Sequence, residues 1–253
     1  MSRAYCPMCT SIMRKYNVPE TKKPTAFSLF AGCGGIDLGF VQAGFAVVGA
    51  NEWDPDAAIT YMTNLCSNPI HIHYLDPNDK TRLDKAVSKM IRSNDRGEIT
   101  YYPVSGSGWI KNNPDMHATR DFWFGDVRLL KGKDILRTLN MNVGEIDIVV
   151  GGPPCQGFST ANPHRTVGDE RNSMVYEFAR VITELRPSTF FMENVPNMRN
   201  VKDPDGNLIL DVFFEIIGAA DYKPASDNTV RSLKKMVAPM RQTNIDVWQT
   251  EAF

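Results

Sequence analysis

The apolar run Ile146-Asp147-Ile148-Val149-Val150 halts at Gly151-Gly152-Pro153-Pro154-Cys155-Gln156-Gly157-Phe158-Ser159, and that junction narrows the folds open to this chain. A short apolar run closed by Gly and Pro predicts a buried strand with a stiff exit turn, because the prolines fix φ and remove backbone donors. The thiol of Cys155 then stands at the carboxyl end of a strand, where open α/β sheets keep their ligands. Taken alone, Cys155 fits equally well as a small buried hydrophobe, the usual fate of a single cysteine.

The same rhythm of strand, turn and helix recurs along the chain. A strand begins at Ala26, and a Gly-rich turn leads into a helix over residues 37–43. A second strand covers residues 46–50 and ends in Asn51-Glu52, and Pro55 opens a helix running to Leu65. Further on come strands at 123–127 and 146–150, a helix at 173–185, a strand at 189–193 and a helix at 208–219. Strands alternating with helices predict an α/β fold, a mostly parallel sheet with helices on both faces. Residues 66–120 break the pattern with Pro, Asn, Gly and the pair Tyr101-Tyr102. They read as an insertion between the second and third strands, with a helix within 80–96 and a hairpin. The expected division is a lead-in at 1–24, a core domain at 25–222 and a C-terminal extension at 223–253.

Composition excludes several classes. With 253 residues, 42% hydrophobic and 23% charged, the chain supports one sizeable core. No apolar stretch reaches membrane-span length, and the polar N-terminus lacks a signal-peptide core, so no membrane is expected. Five scattered cysteines suit a reducing, cytoplasmic or nucleoid-associated setting rather than a disulfide framework. Cys6-Pro-Met-Cys9 has half the spacing of a zinc knuckle with no second half, so no metal is expected. His71-Ile-His73 reads as a strand or loop fragment. The net charge of −1 lacks the basic excess of a strong duplex binder. A modest cluster at Arg231, Lys234, Lys235 and Arg241 suits a solvated helical face.

Four segments in order carry a resemblance. They are Phe27-Ser28-Leu29-Phe30-Ala31-Gly32-Cys33-Gly34-Gly35-Ile36-Asp37-Leu38-Gly39-Phe40, Asn51-Glu52-Trp53-Asp54, Pro153-Pro154-Cys155-Gln156 and Phe190-Phe191-Met192-Glu193-Asn194-Val195. Together they resemble the signature blocks of the cytosine-C5 DNA methyltransferases, from about Thr25 to Val195. By itself the Gly32-Cys33-Gly34-Gly35 turn would also fit an NAD-type fingerprint or a simple close-packed strand–helix turn.

The resemblance implies a Rossmann-like S-adenosylmethionine-dependent fold and a set of roles. Gly32, Gly34 and Gly35 would let the backbone approach S-adenosylmethionine closely, with Phe30 packed beside it. Glu52 would accept the ribose hydroxyls, Trp53 would stack on adenine, and Asp126 with Val127 would hold the adenine amino end. Pro153 and Met174 would line the same pocket. Cys155 would be the covalent nucleophile toward cytosine carbon 6, and Glu193 would bind N3 and the exocyclic amine. The target base must leave the duplex, and the polar loop 157–171 would close over it, with Ser159 and Arg171 as phosphate or base contacts. Asn194 is expected to brace the turn around Pro154.

Family members also carry a Gln-x-Arg-x-Arg block, a target-recognition region and a closing helix. Val237-Ala238-Pro239-Met240-Arg241-Gln242 is at best an echo of the first, and no counterpart of the others is visible. A sheet edge and apolar surface are therefore expected to be left uncovered. The leading reading is a DNA cytosine-C5 methyltransferase, of the restriction-modification kind or another, acting on DNA as a split or truncated enzyme. A second polypeptide would then supply target recognition. The alternatives are a non-catalytic, cofactor-binding regulatory homologue or relic, and a transfer-RNA methyltransferase.

Overall fold

The computed structural model describes residues 23–93, 95–154, 173–195, 198, 200–203, 205–224 and 248–250. Ten strands lie among them: β1 (Thr25–Leu29), β2 (Ala46–Glu52), β3 (Cys66–Tyr74), β4 (Arg92–Ser93), β5 (Ile99–Tyr101), β6 (Thr119–Phe124), β7 (Ile148–Gly151), β8 (Thr189–Met192), β9 (Tyr222–Pro224) and β10 (Trp248–Thr250). Six helices accompany them: α1 (Gly35–Gln42), α2 (Pro55–Leu65), α3 (Asp79–Met90), α4 (Gly132–Leu139), α5 (Ser173–Leu185) and α6 (Ile209–Gly218). The main sheet runs β3-β6-β2-β1-β7-β8-β10-β9, and β4 and β5 form a separate hairpin. All pairings from β3 to β8 are parallel. The fold is α/β and Rossmann-like.

Alternation along the strands sends side chains to two faces. Phe27, Leu29, Trp123 and Val149 enter one core with residues of α4, α5 and α6, among them Ile135, Phe178 and Phe213. Their neighbours Ala26, Ile148 and Val150 join Val41 of α1 on the other face. Further along that second face, Phe122 and Phe124 pack with α2 and α3 through Tyr61, Leu65 and Leu83. Fully burying one such side chain is worth ~1.5–3 kcal/mol, so these two faces hold the sheet between helix layers. Helix α2 starts where its sequence says it should: the Asp54 side chain accepts the N–H groups of Asp56 and Ala57, and Pro55 occupies the first turn.

Residues 66–120 are not simply inserted between strands. Their first nine residues form β3, an outer strand of the main sheet that pairs with β6 in parallel. Helix α3 and the β4–β5 hairpin then follow. The strand expected at 123–127 lies earlier, at Thr119–Phe124, because Gly125 turns the chain at φ 140° and Asp126 caps a short 3-10 turn. Helix α4 had no counterpart in the sequence reading. The sheet also continues past β8: β10 pairs antiparallel with it and β9 with β10. The edge expected to be bare beside β8 is thus covered, while Phe191 of β8 stays 43% exposed.

Candidate active site

The chain moves from β1 outward through β2, then returns to place β7 on the other side of β1. Open α/β sheets bind ligands at such a reversal, beyond the carboxyl ends of the strands. The carboxyl ends of β1, β2, β6, β7 and β8 and the loops after them meet there, and they carry Gly32, Glu52, Asp126, Pro153 and Glu193 respectively.

Glu52 links two of these loops. Its Oε2 accepts the Gly32 N–H at 2.7 Å, and Oε1 accepts the N–H groups of Trp53 and Asp54, each at 2.7 Å. Buried Asn51 holds the next loop by donating from Nδ2 to the Trp123 and Gly125 carbonyls, at 3.0 and 3.1 Å. The Gly125 N–H in turn donates to the Glu52 carbonyl at 3.0 Å.

The three glycines differ in what they do. Gly34 has φ 90°, and a Cβ there would stand 2.5 Å from Leu65 Cδ1 and 2.9 Å from the Tyr61 ring, so packing against α2 demands it. Gly32, at φ 55°, and Gly35 would present a Cβ to open space, with nothing within 4 Å. Neither position is closed off by a neighbouring side chain, and Gly32 lies directly beside Glu52. Phe30 and Met174 are half-buried and pack on the same core cluster. Val127 is buried at the start of the 3-10 turn.

Asp126 is held by Arg128, whose guanidinium reaches its Oδ2 at 2.6 Å and whose N–H reaches Oδ1 at 2.9 Å. Burial pulls the Asp126 carboxyl upward, but the Arg128 hydrogen bonds and charge, with Arg82 nearby, hold it below the usual carboxylate range.

On the other side of the reversal, the Glu193 N–H donates to the Gly151 carbonyl at 3.0 Å. Its exposed carboxylate lies beside Gly152: Oε2 would be 3.2 Å from a Cβ at that position. Asn194 Nδ2 donates to the Pro153 carbonyl at 2.9 Å, and its Oδ1 accepts the Val195 N–H. Asn194 therefore braces the Pro153-Pro154 turn, as the sequence suggested. Cys155, Ser159 and Arg171 lie outside the described residues.

Residues 25–91 and 109–227 match the family of C-5 cytosine-specific DNA methylases. The chain belongs to that family. It is 32% identical to the type II methyltransferase M.AquIA of Picosynechococcus over 68% of this chain and 49% of that protein. It is 27% identical to the type II methyltransferase M.FnuDI of Fusobacterium nucleatum over 79% of this chain and 43% of that one. A crystal structure of S. pombe Dnmt2 methyltransferase superposes with a TM-score of 0.43 at 13% identity, covering 91% of this chain and 50% of the other. The chain thus spans about half the length of the curated relatives it matches.

The methylase fold also brings to this edge residues that sequence reading passed over. Arg128 was signalled only by its spacing, two residues after Asp126. Arg82 carried no signal at all, because it comes from α3, 29 positions away from Trp53. Elsewhere, His73 Nε2 lies 2.8 Å from Asp121 Oδ1 across the β3–β6 pair, with His71 Nδ1 3.4 Å from the same oxygen. No helix of the described residues is long and apolar enough to cross a membrane.

Proposed function

We propose that this chain is the catalytic core of a DNA cytosine-C5 methyltransferase that uses S-adenosylmethionine. The observation that carries the reading is the Glu193 carboxylate beside Gly152, on a turn pinned by Asn194 and leading directly to Cys155. S-adenosylmethionine supplies an electrophilic methyl group when bound. Gly32 and Gly35, which leave open space beside the backbone, suit its amino-acid portion, and Glu52 suits the ribose hydroxyls. Exposed Trp53 suits the adenine face, and Asp126, kept ionised, suits the adenine amino group. Pro153, Val127, Phe30 and Met174 form the apolar lining.

Carbon 5 of cytosine is a weak nucleophile. In this reading the Cys155 thiolate adds to carbon 6 while Glu193 protonates or hydrogen-bonds N3, and the ring becomes an enamine able to attack through carbon 5. Carbon 5 would then take the methyl group as its bond to the sulfonium sulfur breaks and S-adenosylhomocysteine leaves. Loss of the carbon 5 proton, expulsion of the thiolate and return of the N3 proton to Glu193 would restore the aromatic ring. Ser159 and Arg171 would hold the flipped nucleotide. Readout of the target sequence is assigned to a second polypeptide or a further segment, in keeping with a match to about half of each relative.

The test is tritiated methyl transfer to mixed-sequence duplex DNA, with Cys155→Ser as the control. A duplex carrying 5-fluorocytosine should trap a denaturation-resistant protein–DNA adduct with the wild type and none with the variant. Transfer to RNA alone would move the assignment to the RNA branch. Cofactor binding without transfer to either, even with a recognition subunit added, would favour the regulatory reading.

A further inference from the structure

Arg82 joins α3 to the two loops assigned above to adenine. Its Nη2 donates to the Trp53 carbonyl at 2.6 Å, and its Nη1 pairs with the Asp79 carboxylate. The guanidinium carbon lies 4.7 Å from the Trp53 ring centre and 5.2 Å from that of Phe124. Asp79 is itself buried, accepts the Asp76 N–H at 2.9 Å and packs against Gly125, the residue before Asp126. One side chain therefore touches the Trp53 ring and carbonyl directly and, through Asp79, the neighbouring loop at Gly125.

A surface helix needs none of this. An ordinary Asp–Arg pair three residues apart would be satisfied by Asp79 alone and is worth only ~0.2–0.5 kcal/mol. Here the guanidinium leaves its own helix to lie over an aromatic residue that is still 58% exposed. Exposed tryptophan otherwise samples several rotamers; a flat cation over the ring, tethered at both ends, holds it to one. Lysine could supply the charge but not the planar fork that meets ring, carbonyl and carboxylate together.

We infer that Arg82 is a positioning residue of the cofactor site, fixing the Trp53 indole as a preformed platform for the adenine ring. The inference rests on the S-adenosylmethionine reading proposed above. It gives the segment 66–120 a role: α3 completes the adenine end of the pocket from outside the motifs that mark it in sequence. The positive charge of Arg82 also favours an ionised Asp126.

The experiment is calorimetric titration of S-adenosylhomocysteine into the full chain, with the variants Arg82→Met, Arg82→Lys, Trp53→Phe and the double variant Arg82→Met/Trp53→Phe. Arg82→Met is expected to weaken binding about three- to tenfold with kcat for methyl transfer at saturating cofactor unchanged, and Arg82→Lys to fall between it and the wild type. In the Trp53→Phe background the Arg82→Met loss should shrink by at least half, because the platform it positions is gone. If Arg82→Met does not fold, Arg82→Lys carries the same comparison. Binding by the Arg82 variants within about twofold of a wild type that itself binds would overturn the inference alone. An undiminished loss in the Trp53→Phe background would do the same. A wild type that does not bind S-adenosylhomocysteine would overturn the cofactor reading and this inference with it.

Discussion

The Gly32 N–H and the Glu52 carboxylate are joined at 2.7 Å, so the turn after β1 and the exit of β2 are one rigid unit. The same carboxylate takes two further backbone N–H groups, from Trp53 and Asp54. Glu52→Gln puts an amide NH2 where one oxygen now accepts, and weakens charge-assisted bonds that are worth ~1.5–3 kcal/mol each to a buried partner and less at this half-exposed site. Urea denaturation should show a loss of about 1–2 kcal/mol, and S-adenosylhomocysteine affinity should fall about tenfold or more. Unchanged values for both would remove Glu52 from the site.

The glycine turn separates packing from binding. Gly34→Ala meets Leu65 and Tyr61 in a left-handed backbone and should cost about 2–4 kcal/mol of stability. Gly35→Ala points into open space and should leave stability within about 0.5 kcal/mol of the wild type while weakening the cofactor. Thermal unfolding and calorimetry on both variants check the contrast, which fails if Gly35→Ala binds normally.

Glu193 is exposed and Gln keeps its shape, so Glu193→Gln should fold and melt like the wild type. Methyl transfer should nevertheless fall by about 10²–10⁴, the usual worth of a general acid. Asn194→Ala should act differently. It removes the bond to the Pro153 carbonyl, costing about 0.5–1.5 kcal/mol and reducing transfer by loosening the turn that carries Cys155. Equal stability losses in the two variants would contradict this division.

Asp37, on α1, makes stability depend on pH. Burial pushes its carboxyl up to about 7, against the partial opposition of the Ser28 hydroxyl bonded to Oδ2 at 2.8 Å. Its Oδ1 has no hydrogen-bond partner among the described residues. The folded chain therefore holds this proton across a pH range where the unfolded chain, at the ordinary carboxyl value of 3.8, has released it. The contribution is fully present below the unfolded value and is lost as pH rises through about 7. The unfolding free energy from urea denaturation should fall between about pH 5 and pH 7 with a slope approaching 1.4 kcal/mol per unit from this group, and Asp37→Asn should flatten that slope. A wild-type slope that survives in Asp37→Asn would assign it to other groups.

Much of the fold was legible because its signals are local. The helix at Pro55–Leu65 carried its own cap in Asp54 and Pro55, and β1, β2, β7 and β8 were apolar runs with marked exits. The short motifs tie Gly32, Glu52, Pro153 and Glu193 to those strand exits, and the structure places these four there. Strand β3 was not placed in the sheet because Asn68-Pro69 interrupts its extended run and His71-Ile-His73 suits a strand or a loop equally. The strand at 123–127 was displaced for a similar reason: Gly125 breaks the extended run one step after Phe124. Asp37 lies in the helix expected at 37–43, and only its packing against Ser28 of β1 makes it a buried acid.

The sequence by itself determined an alternation of strands and helices, the family and the order of its motifs, since each depends on residues near one another in the chain. Only the tertiary structure decided that β3 pairs with β6 rather than β2 and that Arg82 lies on Trp53. Those contacts join residues 29 to more than 40 positions apart, and no local propensity encodes them. They form because burying both faces of one sheet leaves a single arrangement of its strands, and the loops at the strand ends are brought together by it.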